Sequence, residues 1–396
     1  MLRRLVQFAS VSSIEFVIGI MRLSAGAEAR SRLAATGASS GSARQSGASA
    51  RSSTPACAKC RRSDEIVRIL QILKHFGWGG TPRMLELLAR EWTADGHDVL
   101  NWLPSPQRIP ANLPVWTGDT FPFMVLKADV TVVHGGIIGA ADLGIGPGVA
   151  LSPVVEVIHR LLPARPGASA YVAVSDSVAA MQEFPCTVIP NAVALNEPVV
   201  TRAATRAMLG FTADAVVVAR HNRMVMEKGW HTTLRVLERA WAQDSRIVGL
   251  LIGADDQGVS RLIRTWAQDK PCAVQDWHDD PAYLLHAADI YLETCPREAW
   301  GLAAAEAALA GLPIVAHATP ERSEVLGEHF LGLPDVDVET AAARVLELAA
   351  DPFARREIGA RLRGRIRSHY PPRLCARRYI DLFEKLLTTA GLVDGN

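Results

Sequence analysis

The 396-residue chain predicts an α/β protein built from two Rossmann-like domains facing a cleft, and three observations carry that expectation. Short apolar runs of strand length alternate with longer stretches of helical period. The first of these runs meets its helix through a glycine-rich turn, Gly77, Trp78, Gly79 and Gly80. Residues 290 to 316 read as two buried strands joined by a crossover helix, and in such units ligands bind where strand ends meet helix starts. With 49% hydrophobic residues the chain can bury two cores, and its length alone suggests about two to three domains.

Residues 1 to 62 read as a disordered leader. Positions 24 to 56 are dominated by Ser, Ala, Gly and Arg, too poor in large apolar side chains to repay chain ordering. Residues 5 to 21 are apolar but carry Gln7 and Glu15, and the run is too short and interrupted for a membrane span. A signal peptide, an Arg- and Ser-rich transit peptide and an overlong start all fit this composition. The leader holds ten Lys and Arg against Glu15 and Glu28, and the remaining residues hold 32 basic against 39 acidic side chains, so the formal charge of +1 splits into +8 and −7. The acidic body, without a long basic run, argues against a nucleic-acid partner. Cys57 and Cys60 form a CxxC with no second pair at zinc spacing, and Cys186, Cys272, Cys295 and Cys375 are scattered. Free thiols in a reducing, cytoplasmic compartment follow.

The first domain is expected over residues 66–197. Ile66 to Leu73 reads as a buried strand, and a helix with Leu85, Leu87 and Leu88 on its apolar side follows the glycine turn through Arg90. At that turn Gly79 and Gly80 let the backbone approach a ligand, and the helix start can face an anion. Further strands are expected from Ala128 to Val133, ending at His134, Gly135 and Gly136, and from Pro153 to Ile158, ending at His159. A histidine at a strand end serves either as a cap for nearby carbonyls or as a reacting group. Tyr171 to Ser175 reads as a strand, with Ser175 and Ser177 available as caps for the helix behind it, and Thr187 to Val193 leads out of the domain through the Pro190-Asn191 turn signal.

The second domain is expected over residues 198–370. Ala215 to Ala219 forms its first strand, followed by Arg220, Arg223 and Lys228, and Ile247 to Gly253 forms another. Arg223 and Lys228 can neutralise a diphosphate, one by a planar fork and the other as a point charge, with Arg220 as a rival for the arginine role. The segment 296–328 then places Glu298 ahead of a helix that starts at Gly301 and Leu302, carries Glu306, and stops at Gly311, Leu312 and Pro313. The helix start offers unpaired N–H groups to a phosphate. Eight helical residues separate side chains by about 12 Å with roughly 80° of rotation, so both carboxylates can address one elongated ligand. A C-terminal helix over residues 371–390 is expected to pack back on the first domain.

These segments together resemble the retaining glycosyltransferases of family 4, whose fold is GT-B. The resemblance covers roughly residues 66 to 385 and rests on Trp300, Gly301, Glu306, Ala307, Gly311 and Pro313, with Leu309 near the usual Met-Ala, on Arg223 and Lys228, on PVVEVIH ending at His159, and on Gly96, His97 and Val99. Ala192 and Asn222 stand where the family has glycines. The resemblance implies transfer of a sugar from a nucleotide-diphosphate sugar, a donor substrate rather than a cofactor, to an unidentified hydroxyl acceptor with retention at the anomeric carbon. It implies His159 and Glu298 near the reacting centre, Glu306 at the nucleotide ribose, and Gly79, Gly80, Arg223, Lys228, Gly301 and Leu302 around the diphosphate. A sugar-nucleotide epimerase of GT-B-like fold and a catalytically silent nucleotide-sugar-binding protein are the alternatives. No metal site is expected: Asp255, Asp256, Asp335 and Asp337 are isolated acidic groups, and the cationic clamp makes a divalent ion unnecessary. No transmembrane segment is expected, and peripheral membrane contact stays open.

Overall fold

The computed structural model describes residues 66–391 apart from 111, 119–127, 136–151, 255–257, 279–280 and 336. The leader, Cys57, Cys60, Gly136, Asp255 and Asp256 lie outside the described residues.

Two parallel sheets organise the chain. The first contains β1 (Arg68–Ile72), β2 (Asp98–Leu103), β3 (Val115–Thr117), β4 (Val130–Gly135), β5 (Val154–Ile158), β6 (Ala170–Ala173) and β7 (Thr187–Val188), in the order β3-β2-β1-β4-β5-β6-β7. The second contains β8 (Val216–His221), β9 (Ile247–Ile252), β10 (Cys272–Gln275), β11 (Ile290–Glu293), β12 (Ile314–His317) and β13 (Leu331–Leu333), in the order β10-β9-β8-β11-β12-β13. Parallel strands are covered on both faces, which is why β4, β5 and β8 are near-continuous aliphatic runs with every residue buried.

The helices are α1 (Gly80–Ala94), α2 (Asp176–Ala180), α3 (Arg202–Met208), α4 (Trp230–Trp241), α5 (Val259–Ala267), α6 (Ala282–Ala287), α7 (Leu302–Ala310), α8 (Pro320–Leu326), α9 (Val338–Ala350), α10 (Pro352–His369) and α11 (Pro372–Thr389). In each sheet the strand order reverses beside the first strand, between β1 and β4 and between β8 and β11. Ligands of open α/β sheets bind outside the carboxyl ends of strands at such switch points. The loops leaving β1, β8 and β11 are the ones that carry Gly79, Arg223 and Glu298.

Several sequence-derived limits shift for physical reasons. β1 starts at Arg68 rather than Ile66, because Ile66 precedes the ladder and is exposed. α1 continues past Arg90 to Ala94 because Trp92 turns fully inward. β6 ends at Ala173, and Ser175 leaves the sheet to cap α2 by accepting from the Val178 amide at 3.2 Å.

α11 docks on α1 through Trp92, whose ring meets Tyr379 edge-on at 5.7 Å and Phe383 at 5.6 Å. The Trp92 indole Nε1 donates to the Ala376 carbonyl at 3.1 Å, so the buried ring loses no hydrogen bond. Among the described residues no helix is long and apolar enough to cross a membrane.

Candidate active site

Glu298 sits in the loop between β11 and α7, and Lys228 donates to its Oε1 at 2.7 Å. Asn222 Nδ2 adds a longer contact to the same oxygen at 3.4 Å. Burial alone would raise the Glu298 pKa; the adjacent Lys228 ammonium, helped by Arg322 and Arg220, outweighs burial and holds the carboxyl below its ordinary range. Burial likewise works against the Lys228 ammonium, and Glu298 overrides it, so the lysine is raised. Both groups are therefore ionised at neutral pH.

A buried framework fixes the loops that carry this pair. Arg220, completely buried, forms an ion pair with Glu293 and donates to the Lys228 carbonyl at 2.6 Å. Glu293 in turn accepts from the Cys295 amide at 2.8 Å, and Arg322 donates to the Cys295 carbonyl at 2.6 Å. Thr294 Oγ1 donates to the Gly229 carbonyl at 2.8 Å, so the 2.6 Å bond between Thr233 and Thr294 has Thr233 as donor. Gly229 closes the turn behind Lys228 at φ 69°, and a Cβ there would run into the Thr294 carbonyl oxygen. Arg220 is thus occupied inside the framework, whereas Arg223 is half-exposed, 3.4 Å from Glu227 and beside Gly79.

α7 begins and ends as its glycines dictate: Gly301 at φ 88° caps the start and Gly311 at φ 88° the end. Glu306 lies one turn into the helix and is buried. Arg83 of α1 approaches its Oε1 at 3.9 Å and His221 at the end of β8 approaches Oε2 at 3.6 Å. Three side chains here carry buried polar atoms without a hydrogen-bond partner in the structure: Arg83 Nε, both ring nitrogens of His221, and Nε1 of Trp277, whose ring lies 4.9 Å from that of His221. Unpaired buried polar atoms are uncommon in folded proteins, and these gather around His221 and Glu306. Burial, with His278, Arg220 and Arg83 nearby, pushes the His221 imidazole down to about 3.

The start of α1 faces the same place. A Cβ on Gly80 would lie 3.3 Å from Leu302 Cδ1, and one on Gly79 would lie 3.7 Å from Arg223 Cδ. Glycines at these two positions let the α1 turn close on the start of α7 and on the Arg223 side chain. Across the same junction Ser175 donates to the Ala299 carbonyl at 2.8 Å and the Asp176 amide to Glu324 at 3.2 Å. Gly79, Gly80, Arg223, Lys228, Glu298, Gly301, Leu302 and Glu306 are thus brought to one region.

His159 belongs to a different set of contacts. Its Nε2 lies 3.1 Å from His134 Nδ1, and His134 Nε2 lies 2.7 Å from Gln71 Oε1. Burial pushes the His159 imidazole down to about 3, and burial with His159 alongside holds His134 well below the ordinary histidine range. Both rings are neutral at pH 7. The isolated acidic residues resolve more simply: Asp337 caps α9 by accepting from the Glu339 and Thr340 amides at 2.9 and 3.1 Å. Cys186, Cys272, Cys295 and Cys375 are free thiols.

Sequence reasoning missed Arg83, His221 and Trp277 around Glu306, and Gln71 beside His134. Gln71 had a signal, being the one polar residue in the run Ile69 to Leu73. Arg83 and His221 had none beyond their closeness to the glycine turn and the clamp.

Two parallel-sheet Rossmann-like domains of this kind are the architecture of GT-B glycosyltransferase structures. Residues 169–365, just under half of the chain, match the family described as Glycosyl transferases group 1. The fold is similar to that of HepE from Anabaena in complex with UDP and glucose, with a TM-score of 0.68 at 18% identity over 81% of this chain and 100% of that one. It is also similar to sucrose-phosphate synthase from Thermosynechococcus elongatus, with a TM-score of 0.65 at 17% identity over 82% and 100% of the two chains. In sequence the chain is similar to a GDP-mannose-dependent monoacylated alpha-(1-6)-phosphatidylinositol monomannoside mannosyltransferase of Corynebacterium glutamicum, 24% identical over 46% of this chain. The match spans about half, 51%, of that protein's length.

Proposed function

We propose that the protein transfers a glycosyl group from a nucleotide-diphosphate sugar to a hydroxyl acceptor with retention of anomeric configuration. The observation that carries this reading is the ionised Lys228–Glu298 pair set just ahead of the α7 start, with Glu306 one turn further in. A diphosphate meets positive charge at this point from Lys228, Arg223 and the helix N-terminus, which stabilises the leaving group as negative charge develops. Glu298 accepts hydrogen bonds from hydroxyls of the transferred sugar. Glu306, beside the orphan donors of Arg83, His221 and Trp277, accepts from the ribose, and those donors address the nucleoside. Gly79 and Gly80 admit the diphosphate close to the α1 backbone, and Gly301 and Leu302 present amides from the other side. The neutral imidazole of His159 serves the reacting side of the cleft, from the first domain.

The resemblance to family 4 supports retention, with the departing phosphate helping to deprotonate the acceptor on the same face. The clamp of Arg223 and Lys228 takes the charge-neutralising role, so a chelator is expected to leave the rate unchanged. Incubation with UDP-, GDP- and ADP-sugars and product analysis tests the reading. Free nucleotide diphosphate with a glycosylated acceptor of retained configuration is the expected result. An isomerised sugar nucleotide identifies an epimerase, binding without turnover identifies a silent binding protein, and either outcome overturns the proposal.

A further inference from the structure

A polar row crosses four neighbouring strands of the first sheet at their carboxyl side. Asn101 of β2 stands in register with Gln71 of β1, His134 lies at the end of β4, and His159 immediately follows β5. Gln71 and Asn101 are fully buried and His134 nearly so. A row of this kind inside an aliphatic sheet costs stability at every unpaired atom, so each donor must meet an acceptor.

That requirement gives the row a direction. Asn101 Nδ2 donates to the Pro114 carbonyl at 3.0 Å, and a backbone carbonyl can only accept, which fixes Asn101 Oδ1 as the end facing Gln71. Gln71 Nε2 donates to that oxygen at 3.0 Å and to the Leu85 carbonyl at 3.2 Å, so Gln71 Oε1 is left as an acceptor. His134 Nε2, 2.7 Å away, must carry a proton to meet it. A neutral His134 protonated at Nε2 has a bare Nδ1, and the 3.1 Å contact to His159 then requires the proton to sit on His159 Nε2.

We propose that Gln71 and His134 are positioning residues that lock His159 in the tautomer protonated at Nε2, so that its Nδ1 lone pair is the group offered to a hydroxyl of the bound substrates. The inference rests on the reading of His159 as part of the active site. It makes His159 an acceptor of fixed orientation rather than a cation or a freely tautomerising ring. The two backbone carbonyls of Pro114 and Leu85 set the polarity, and two amides and one imidazole carry it from β2 to the end of β5. No group in the row needs to ionise.

The test uses the full chain labelled with 15N in its histidine rings. In the native protein at pH 7 the nitrogen shifts and couplings of His134 and His159 are expected to report protonated Nε2 and bare Nδ1 for both. In Gln71→Met, which keeps the volume but removes the acceptor, both rings are expected to become tautomer mixtures. His134→Phe is expected to release His159 alone and serves as the second variant if Gln71→Met misfolds. A native His159 protonated at Nδ1, or unchanged His159 signals in both variants, overturns the lock, whatever the protein transfers. With donor and acceptor in hand, kcat is expected to fall up to about tenfold in Gln71→Met, the worth of one neutral hydrogen bond, with KM for the donor unchanged. A shifted tautomer with unchanged kcat overturns the positioning role while leaving the glycosyl-transfer reading intact.

Discussion

At the ends of β8 and β11 the protein gathers ionised groups in pairs, Arg220 with Glu293 and Lys228 with Glu298, whereas at the ends of β1, β4 and β5 it gathers amides and imidazoles with no formal charge. Both sets are buried or half-buried, and both lie at or beyond strand ends. Charge pairs supply strong, weakly directional attraction, the kind a diphosphate needs. A neutral row supplies little attraction but a defined sequence of donor and acceptor, the kind a hydroxyl needs. The fold uses the same strand-end geometry twice and changes only the chemistry planted on it.

The largest break in this contrast is expected at Arg220. Replacing it by Met removes the nearer of two cations beside the buried Glu293, leaving the Cys295 amide and Arg322 at 4.0 Å, and losing one member of a buried pair costs about 3 to 5 kcal/mol. Denaturant unfolding of Arg220→Met measures that loss directly. A cost below about 1 kcal/mol with a specific loss of nucleotide affinity would return Arg220 to the diphosphate clamp and remove it from the framework.

Next comes the clamp itself. Lys228→Ala is expected to lower turnover by about tenfold to a thousandfold, the range for losing one charge-stabilising donor. Calorimetry with the cognate nucleotide diphosphate should show weaker binding as well. Unchanged affinity and rate would mean that the ionised side of the cleft has been assigned to the wrong ligand.

The two sides of the cleft also differ in how far a single sequence reveals them. The βαβ unit holding α7 was legible because its signals are local: Gly301, Gly311 and Pro313 punctuate the helix, and strand-length apolar runs flank it. The five-residue interval between Arg223 and Lys228 was legible for the same reason. Glu306 meeting Arg83 was not, because that contact joins α1 to α7 across more than half the described chain. The row from Asn101 to His159 needed the strand order β2-β1-β4-β5, and sequence pattern finds strands without finding their neighbours. His159 was therefore named while Gln71, which orients it, was passed over as part of a strand.

A third expectation separates the two sides by pH. His159 and His221 are pushed down to about 3 and His134 lower than usual, so the unfolded chain, with histidines near 6.5, binds protons that the native chain refuses. Stability from these rings is complete above about pH 6.5 and is lost as pH falls from there toward 3. Each ring contributes up to about 1.4 kcal/mol per pH unit in that window. Glu298, held low by Lys228, adds its own loss only below its ordinary value of 4.5. Unfolding midpoints measured between pH 7 and 5 should fall steeply in the native chain and less steeply in His134→Phe and in His221→Phe. Parallel slopes for all three would show that the rings take up protons in the fold as readily as in the unfolded chain, and the neutral side of the contrast would be lost.

The smallest expected effect divides the two glutamates. Glu298→Gln keeps the shape of the side chain while removing the charge that pairs with Lys228. It is expected to depress kcat with saturating donor more than it weakens the bare nucleotide diphosphate, because that ligand lacks the sugar. Glu306→Gln turns a charged acceptor near Arg83 and His221 into a neutral one, a difference of about 1 kcal/mol in a hydrogen bond, or roughly fivefold in affinity. That loss should already be present with the bare nucleotide. Titrating both variants with nucleotide diphosphate and with intact nucleotide sugar decides the matter. Equal losses of bare-nucleotide affinity would show that sugar and ribose are not divided between Glu298 and Glu306, and that the ionised side of the cleft acts as one undivided charge site.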